Sequence, residues 1–330
     1  MIVLMRNLLR KLYKGTLYVI YKKYVISYRD RKKLPRCYYT YLRRIENAIA
    51  SRDSNAFFIF ISDSHWGKND RLSPLIVKHI INHTDVKRVF SGGDVITLSD
   101  KNKESMISLW NSFRKSFSFA EPYFYQIIGN HDDNSYQQIN IKAIFSKENI
   151  ISCQTIGNGI RFGSDYSFYV DDMPGKTRYI CLDTGKQYLE EDDYKNVYSI
   201  LKNTPPYWHI VVLSHIILEW IDSKYQCRAY IQRLIDIMDE YNTKNAAKVE
   251  MIVAGHVHND FYTTTDGGIP IITVGSDAYG VVCGKYKHTL MPYSEQCVTI
   301  FQLDYESRKC YGTRIGRGED FCYSLAEKKD

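Results

Sequence analysis

Five short clusters of acid, amide and imidazole side chains stand out: Asp63-Ser64-His65, Gly92-Gly93-Asp94, Gly129-Asn130-His131-Asp132, the isolated His215, and Gly255-His256-Val257-His258. Asp and Asn bring hard oxygen ligands, and His brings an imidazole nitrogen. That mixture suits Mn, Fe, Zn or related ions better than calcium. Two neighbouring ions need a shared ligand, and a carboxylate can span both. Asp63 and His65 are two residues apart, as are His256 and His258. If an extended strand runs through them, both members of a pair point to one side and reach one ion. Glycines ahead of Asp94, Asn130 and His256 permit sharp turns and close backbone approach.

Something must bring these distant residues together. Each cluster follows a short apolar run that reads as a strand: FFIFIS (57–62), VKRVFS (86–91), YFYQII (123–128), WHIVVLS (208–214) and VEMIVA (249–254). Further strands are expected at 177–182 and 269–274, and a hairpin at 297–305 and 309–316. Apolar residues at helical spacing predict helices over 38–52, 72–83, 104–117, 189–201 and 224–242. The first part alternates strand and helix, which predicts an α/β protein with parallel pairing. The C-terminal part is strand-rich, so the expected architecture is a two-sheet β-sandwich flanked by helices. Sites in open α/β sheets gather outside the carboxyl ends of strands, where all five clusters fall. The expected division is a basic leader and helix over 1–52, a catalytic domain over 53–317 and a tail over 318–330.

The order D-x-H, G-D, G-N-H-D, a strand-end H and G-H-x-H resembles the five motifs of the calcineurin-like metallophosphoesterases, over residues 63–258. The resemblance implies a four-layer α/β/β/α fold and two divalent ions, Mn2+ first, with Fe, Zn or Mg as alternatives. It implies that one ion takes Asp63, His65 and His258, that the second takes Asn130, His215 and His256, and that Asp94 bridges them. His131 would assist the leaving group, and Asp132 would orient His131. The implied nucleophile is a metal-bridging hydroxide, and the implied substrate is a phosphate mono- or diester. Departures narrow the class. The second motif reads GGDVITLSD and lacks the Arg of the protein Ser/Thr phosphatases, and Thr97 stands where purple acid phosphatases carry a Tyr. The segment 313–324 looks similar to the tails of bacterial and phage-type members. Asn69 and Arg71 follow the first motif and either touch substrate or serve a helix cap or turn.

Charge is unevenly placed. The chain is net +7, yet residues 1–36 hold eleven Lys and Arg against the single Asp30, which leaves residues 37–330 net acidic. Within 2–14, Ile2, Met5, Leu9 and Leu12 share a helical face opposed to Arg6, Arg10 and Lys14. Such a leader can lie on an anionic membrane, follow nucleic-acid phosphates or dock on the protein itself. Besides the phosphoesterase, a nuclease and a non-catalytic binding module of the same fold are the rival functions. No run is long enough for a transmembrane helix. The eight Cys include no C-x-x-C pair, which fits buried, reduced thiols in a cytoplasmic protein, membrane-associated if the leader binds lipid.

Overall fold

A computed structural model describes residues 33–54, 56–67, 72–97, 102–132, 145–163, 166–186, 188–278 and 296–326. The leader helix over 2–14, Asn69 and Arg71 lie outside the described residues. The helices are α1 (Arg36–Ala50), α2 (Ser73–His83), α3 (Lys103–Ser116), α4 (Lys147–Cys153), α5 (Glu191–Lys202) and α6 (Ala229–Lys244). The strands through the first half are β1 (Ala56–Ile61), β2 (Val89–Ser91), β3 (Phe124–Gln126), β4 (Ile160–Arg161), β5 (Phe168–Asp172) and β6 (Thr177–Leu182). They continue with β7 (His209–Ser214), β8 (Glu219–Ile221), β9 (Lys224–Gln226), β10 (Lys248–Ala254), β11 (Phe261–Thr264), β12 (Pro270–Thr273), β13 (Cys297–Asp304), β14 (Lys309–Gly316) and β15 (Phe321–Ser324).

Two sheets form the sandwich. The first has the order β15-β14-β13-β1-β2-β3 and the second β11-β12-β10-β7-β6-β5-β4. The strands that precede the five clusters pair in parallel: β1 with β2 and β2 with β3 in one sheet, β7 with β10 in the other. The hairpin strands β13 and β14, the edges β11 and β15, and β5 between β6 and the edge strand β4 are antiparallel. Period-two alternation explains the layering. Phe58 and Phe60 of β1 face inward, with Phe90, Tyr179, Leu213, Val253 and Phe301, to fill the space between the sheets. Ile59 and Ile61 face outward beneath α1 to α4. On the second sheet, Ile180, Ile210, Val212 and Ile252 do the same beneath α5 and α6.

Residues from the first and last of the expected segments both contact the sandwich. Helix α1 is part of the body: Tyr38, Leu42, Ile45 and Ile49, one helical stripe, are buried in the same core as β1 and β13. Its last turn is tied to the sheet, because Gln302 Nε2 donates to the Ile49 carbonyl at 3.0 Å. The tail is also structured, since Phe321–Ser324 extends the first sheet as β15. The expected helix over 224–242 begins later, at Ala229, because Lys224–Gln226 pairs with Glu219–Ile221 as a small ribbon.

Candidate metal centre

The five clusters meet at one end of the sandwich, where the parallel strands of both sheets finish. The ligand atoms of Asp63, His65, Asp94 and His258 lie within 4.8 Å of one another. His258 Nε2 is 3.0 Å from Asp63 Oδ1. On the other side of Asp94, His215 Nε2 is 3.3 Å from Asp94 Oδ1 and 3.1 Å from Asn130 Oδ1. The rings of His215 and His256 stand edge to face at 5.3 Å. Asp94 therefore borders both groups of ligands. The nine candidate ligand and acid–base residues of the five clusters are brought together here.

The route by which Asp63 and His65 converge is not the extended strand expected of them. Strand β1 stops at Ile61, and Asp63, His65, Asp94, His256 and His258 all adopt positive φ, between 42° and 66°. Five non-glycine residues in this sparsely populated region cost of order 1 kcal/mol each and persist only where surrounding contacts over-determine them. Those contacts are visible. Asp63 N donates to the Gly93 carbonyl and His65 N to the Asp94 carbonyl, at 3.0 and 2.9 Å. His256 N donates to Asp63 Oδ2 and His131 N to Asp94 Oδ1, at 3.1 and 2.8 Å. Two glycines allow the close approach: a Cβ on Gly129 would lie 2.2 Å from Asp94 Oδ1, and one on Gly255 would lie 1.9 Å from Ser62 Oγ.

The donor set fits cations. Among the described residues no hydrogen bond reaches the buried Asp63 Oδ1, although His258 Nε2 faces it. Burial raises the Asp63 pKa, but the imidazoles of His258 and His215 outweigh it and hold the carboxyl well below the usual range. Asp94 is held down in the same way, chiefly by His215. Burial pushes His65 and His256 down to about 4, so both are neutral, metal-ready imidazoles at neutral pH. His215 differs. Burial lowers it too, but the Asp94 carboxylate carries it up to about 9. A divalent ion held by Asp94 and His215 would meet the same carboxylate demand in place of that proton.

Orienting groups surround these side chains. Thr97 Oγ1 is 2.7 Å from His65 Nδ1, and the Gly92 carbonyl accepts from His215 Nδ1 at 2.7 Å. The carbonyl puts a hydrogen on His215 Nδ1 and turns Nε2 towards Asn130 and Asp94, while the Thr97 hydroxyl, able to donate or accept, positions the His65 ring. Ser276 Oγ donates to the Asp63 carbonyl at 2.9 Å. Behind the last cluster, Arg317 donates to the His258 carbonyl at 2.8 Å, and Arg314 to Asp260 at 2.7 Å. Sequence reasoning missed these supports. The only signal was the cluster of Arg residues in 313–324, the segment noted for its resemblance.

Asp132 ties two of the loops together. Its two carboxylate oxygens accept from Ile96 N at 3.0 Å and Gly129 N at 2.9 Å. It braces the Asp94 loop against the Asn130 loop. Burial, reinforced by Asp94, raises its pKa to about 8. His131 lies edge to face with His65 at 5.2 Å, and burial lowers its pKa.

A twisted α/β sandwich with an Asp/Asn/His centre at its strand ends defines a metallophosphoesterase-type fold. The calcineurin-like phosphoesterase family model matches residues 58–260, and the chain belongs to that family. At that level it is a metal-dependent phosphoester hydrolase. Among solved structures, the chain is similar to a dimetal phosphatase from Danio rerio, at 14% identity and a TM-score of 0.54, over 83% of this chain and 100% of that one. It is also similar to a hypothetical protein from Thermus thermophilus, at 11% identity and a TM-score of 0.44, over 82% and 100% of the two chains. No curated protein matches the sequence.

Proposed function

We propose that this chain hydrolyses a phosphate monoester or diester at a two-metal centre. One ion would be held by Asp63, His65 and His258, the second by Asn130, His215 and His256, with Asp94 shared. The observation that carries the reading is the convergence of four ligand side chains, from β1, β2 and β10 ends, within 4.8 Å. Divalent ions bound there, Mn2+ ahead of Fe, Zn and Mg, supply an acidified water and positive charge for phosphoryl oxygens. The chain's own residues do the rest. His131 is tied through its backbone N–H to Asp94 Oδ1 and presents a half-buried imidazole beside the ligands. Burial lowers its pKa, so the neutral ring would stabilise the departing oxygen by donating a hydrogen bond, and a proton would reach that oxygen from the imidazolium form or from water. Asp132 acts through the backbone, keeping the Asp94 and Asn130 loops in register.

The test is hydrolysis of bis-p-nitrophenyl phosphate and p-nitrophenyl phosphate by metal-stripped protein reloaded with Mn2+. Turnover should require the metal. His131→Ala should keep its metal and lose about 10²- to 10⁴-fold in rate, whereas Asp94→Ala should lose the metal. The preferred ester separates diesterase from monoesterase. Metal-loaded protein that turns over neither ester with any divalent ion overturns the reading.

A further inference from the structure

Among the described residues, two groups of His and acidic side chains bring three or more ligand atoms within 4.8 Å of one another. One is the centre above. The other is Glu46, His79 and His83, which lies on the outer surface where α1 crosses α2. We propose that this group is a second, independent site for a Zn2+-class ion, and that the ion staples α1 to the body.

The geometry carries it. His79 and His83 are four residues apart on α2, so both project from one face of the helix. Glu46 comes from the facing side of α1, and its Oε1 is 2.6 Å from His79 Nε2. Three side chains from two elements thus share one point. The tautomer of His83 is fixed as metal-binding imidazoles usually are. Its Nδ1 lies 2.7 Å from the His79 carbonyl, which can only accept, so Nδ1 carries the hydrogen and Nε2 presents a lone pair. The two rings are stacked at 4.0 Å, with only 19° between their planes, so their nitrogens are neighbours. An ion about 2.0–2.2 Å from each ligand needs ligand atoms roughly 3–3.5 Å apart. The three ligand atoms lie within 4.8 Å of one another, so a small adjustment of the exposed His83 side chain would close the remaining distance.

Ligand chemistry selects the ion. Two imidazoles and one carboxylate suit Zn2+ and its first-row neighbours, and lack the oxygen-rich shell of Mg2+ or Ca2+. Three protein ligands leave a fourth position for water. The nearby cations are engaged elsewhere: Lys87 Nζ donates to the carbonyls of Ile81 and Thr84 at 2.6 and 2.7 Å, and Arg52 to Thr313 at 2.8 Å. Asp85 borders the same groove and adds negative charge.

The experiment titrates Zn2+ into the metal-stripped full chain against a chromophoric chelator. Wild type and Asp94→Asn are compared with His83→Ala and Glu46→Gln. His83→Ala and Glu46→Gln should each bind one equivalent fewer than wild type, and His83→Ala in the Asp94→Asn background should lose the same equivalent. Zn2+ should slow amide exchange across Tyr38–Ile49 in wild type and not in His83→Ala. If phosphoester hydrolysis fails its own test, the count of ions at the main centre changes, but the one-equivalent difference does not. Equal stoichiometry in wild type and both variants, or no Zn2+-dependent protection of α1, overturns the proposal. His83 is exposed, so its replacement is tolerated; a melt confirms that the variant is folded.

Discussion

At the scale of single residues, the centre is a set of ligands whose orientations are enforced from outside. Thr97 illustrates the point. Its hydroxyl lies 2.7 Å from His65 Nδ1 and holds the ring beside Asp63 and Asp94. Thr97→Val keeps the shape and removes the hydroxyl. We expect metal affinity to fall about 10- to 100-fold, the usual effect of removing such a partner, with the melting temperature nearly unchanged. A chelator competition beside a thermal melt reads both. Unchanged affinity would mean that packing alone orients His65. The candidate ligand types and their order were legible in the sequence because metal chemistry restricts them to few residue types and because glycines mark the tight turns. Thr97 was visible only as a departure from a family pattern. The partner of a hydroxyl depends on a fold-back of some thirty residues, which spacing does not reveal. The bracing role of Asp132 was hidden for the same reason, since one of the two amides its oxygens accept from, Ile96 N, is 36 residues away in sequence.

At the scale of elements, strong periodicity predicted well and weak periodicity did not. The apolar runs that became β1, β6, β7 and β10 are buried on both faces, so they read as continuous hydrophobic stretches. The missed elements are edge or surface pieces. Strand β5 alternates buried and half-buried residues, and β15 alternates half-buried and exposed ones. Both are four or five residues long, too short to separate from a turn by pattern alone. Helix α1 was legible as a helix but not its partner, since amphipathicity shows that a face is covered without showing by what. Its stripe predicts a measurable asymmetry. Leu42 is fully buried and Asn47 is exposed on the same helix. Leu42→Ala should lower unfolding free energy by about 2–5 kcal/mol, and Asn47→Ala should change it by less than about 0.5 kcal/mol. Denaturant melts of the two variants decide it. Similar small effects would show that α1 frays independently of the sandwich.

At the scale of the whole molecule, the two sheets are locked at the end opposite the metal centre, which separates stability from chemistry. In β10 the register shifts between Val249 and Met251, so Glu250 is an extra residue opposite β7. The bulge turns the nearly fully buried Glu250 carboxylate towards His209 and Arg308. His209 Nδ1 is 2.6 Å from Oε1, and Arg308 Nη1 donates to the same oxygen at 2.9 Å. Arg308 sits in the turn between β13 and β14 and also donates to the Ala326 carbonyl, so one carboxylate joins the second sheet to the first and to the tail. Burial raises the Glu250 pKa, but the hydrogen bonds from His209 and Arg308 outweigh it and hold the group below its ordinary 4.5. A carboxyl whose folded pKa is depressed contributes stability above its unfolded pKa and loses it as pH falls through the folded value. Glu250→Gln removes that contribution and leaves Arg308 without its charge partner. Near pH 7 we expect the variant to be less stable by about 3 kcal/mol. The gap from wild type should narrow below about pH 4.5, as protonation weakens the same lock in wild type. Metal affinity at pH 7 should be unchanged, because no ligand-bearing loop touches the lock. Urea melts from pH 7 to pH 3, with metal titration at pH 7, measure both. A stability gap that stays constant to pH 3 would show that the Glu250 charge contributes nothing, and that the substitution acts through packing.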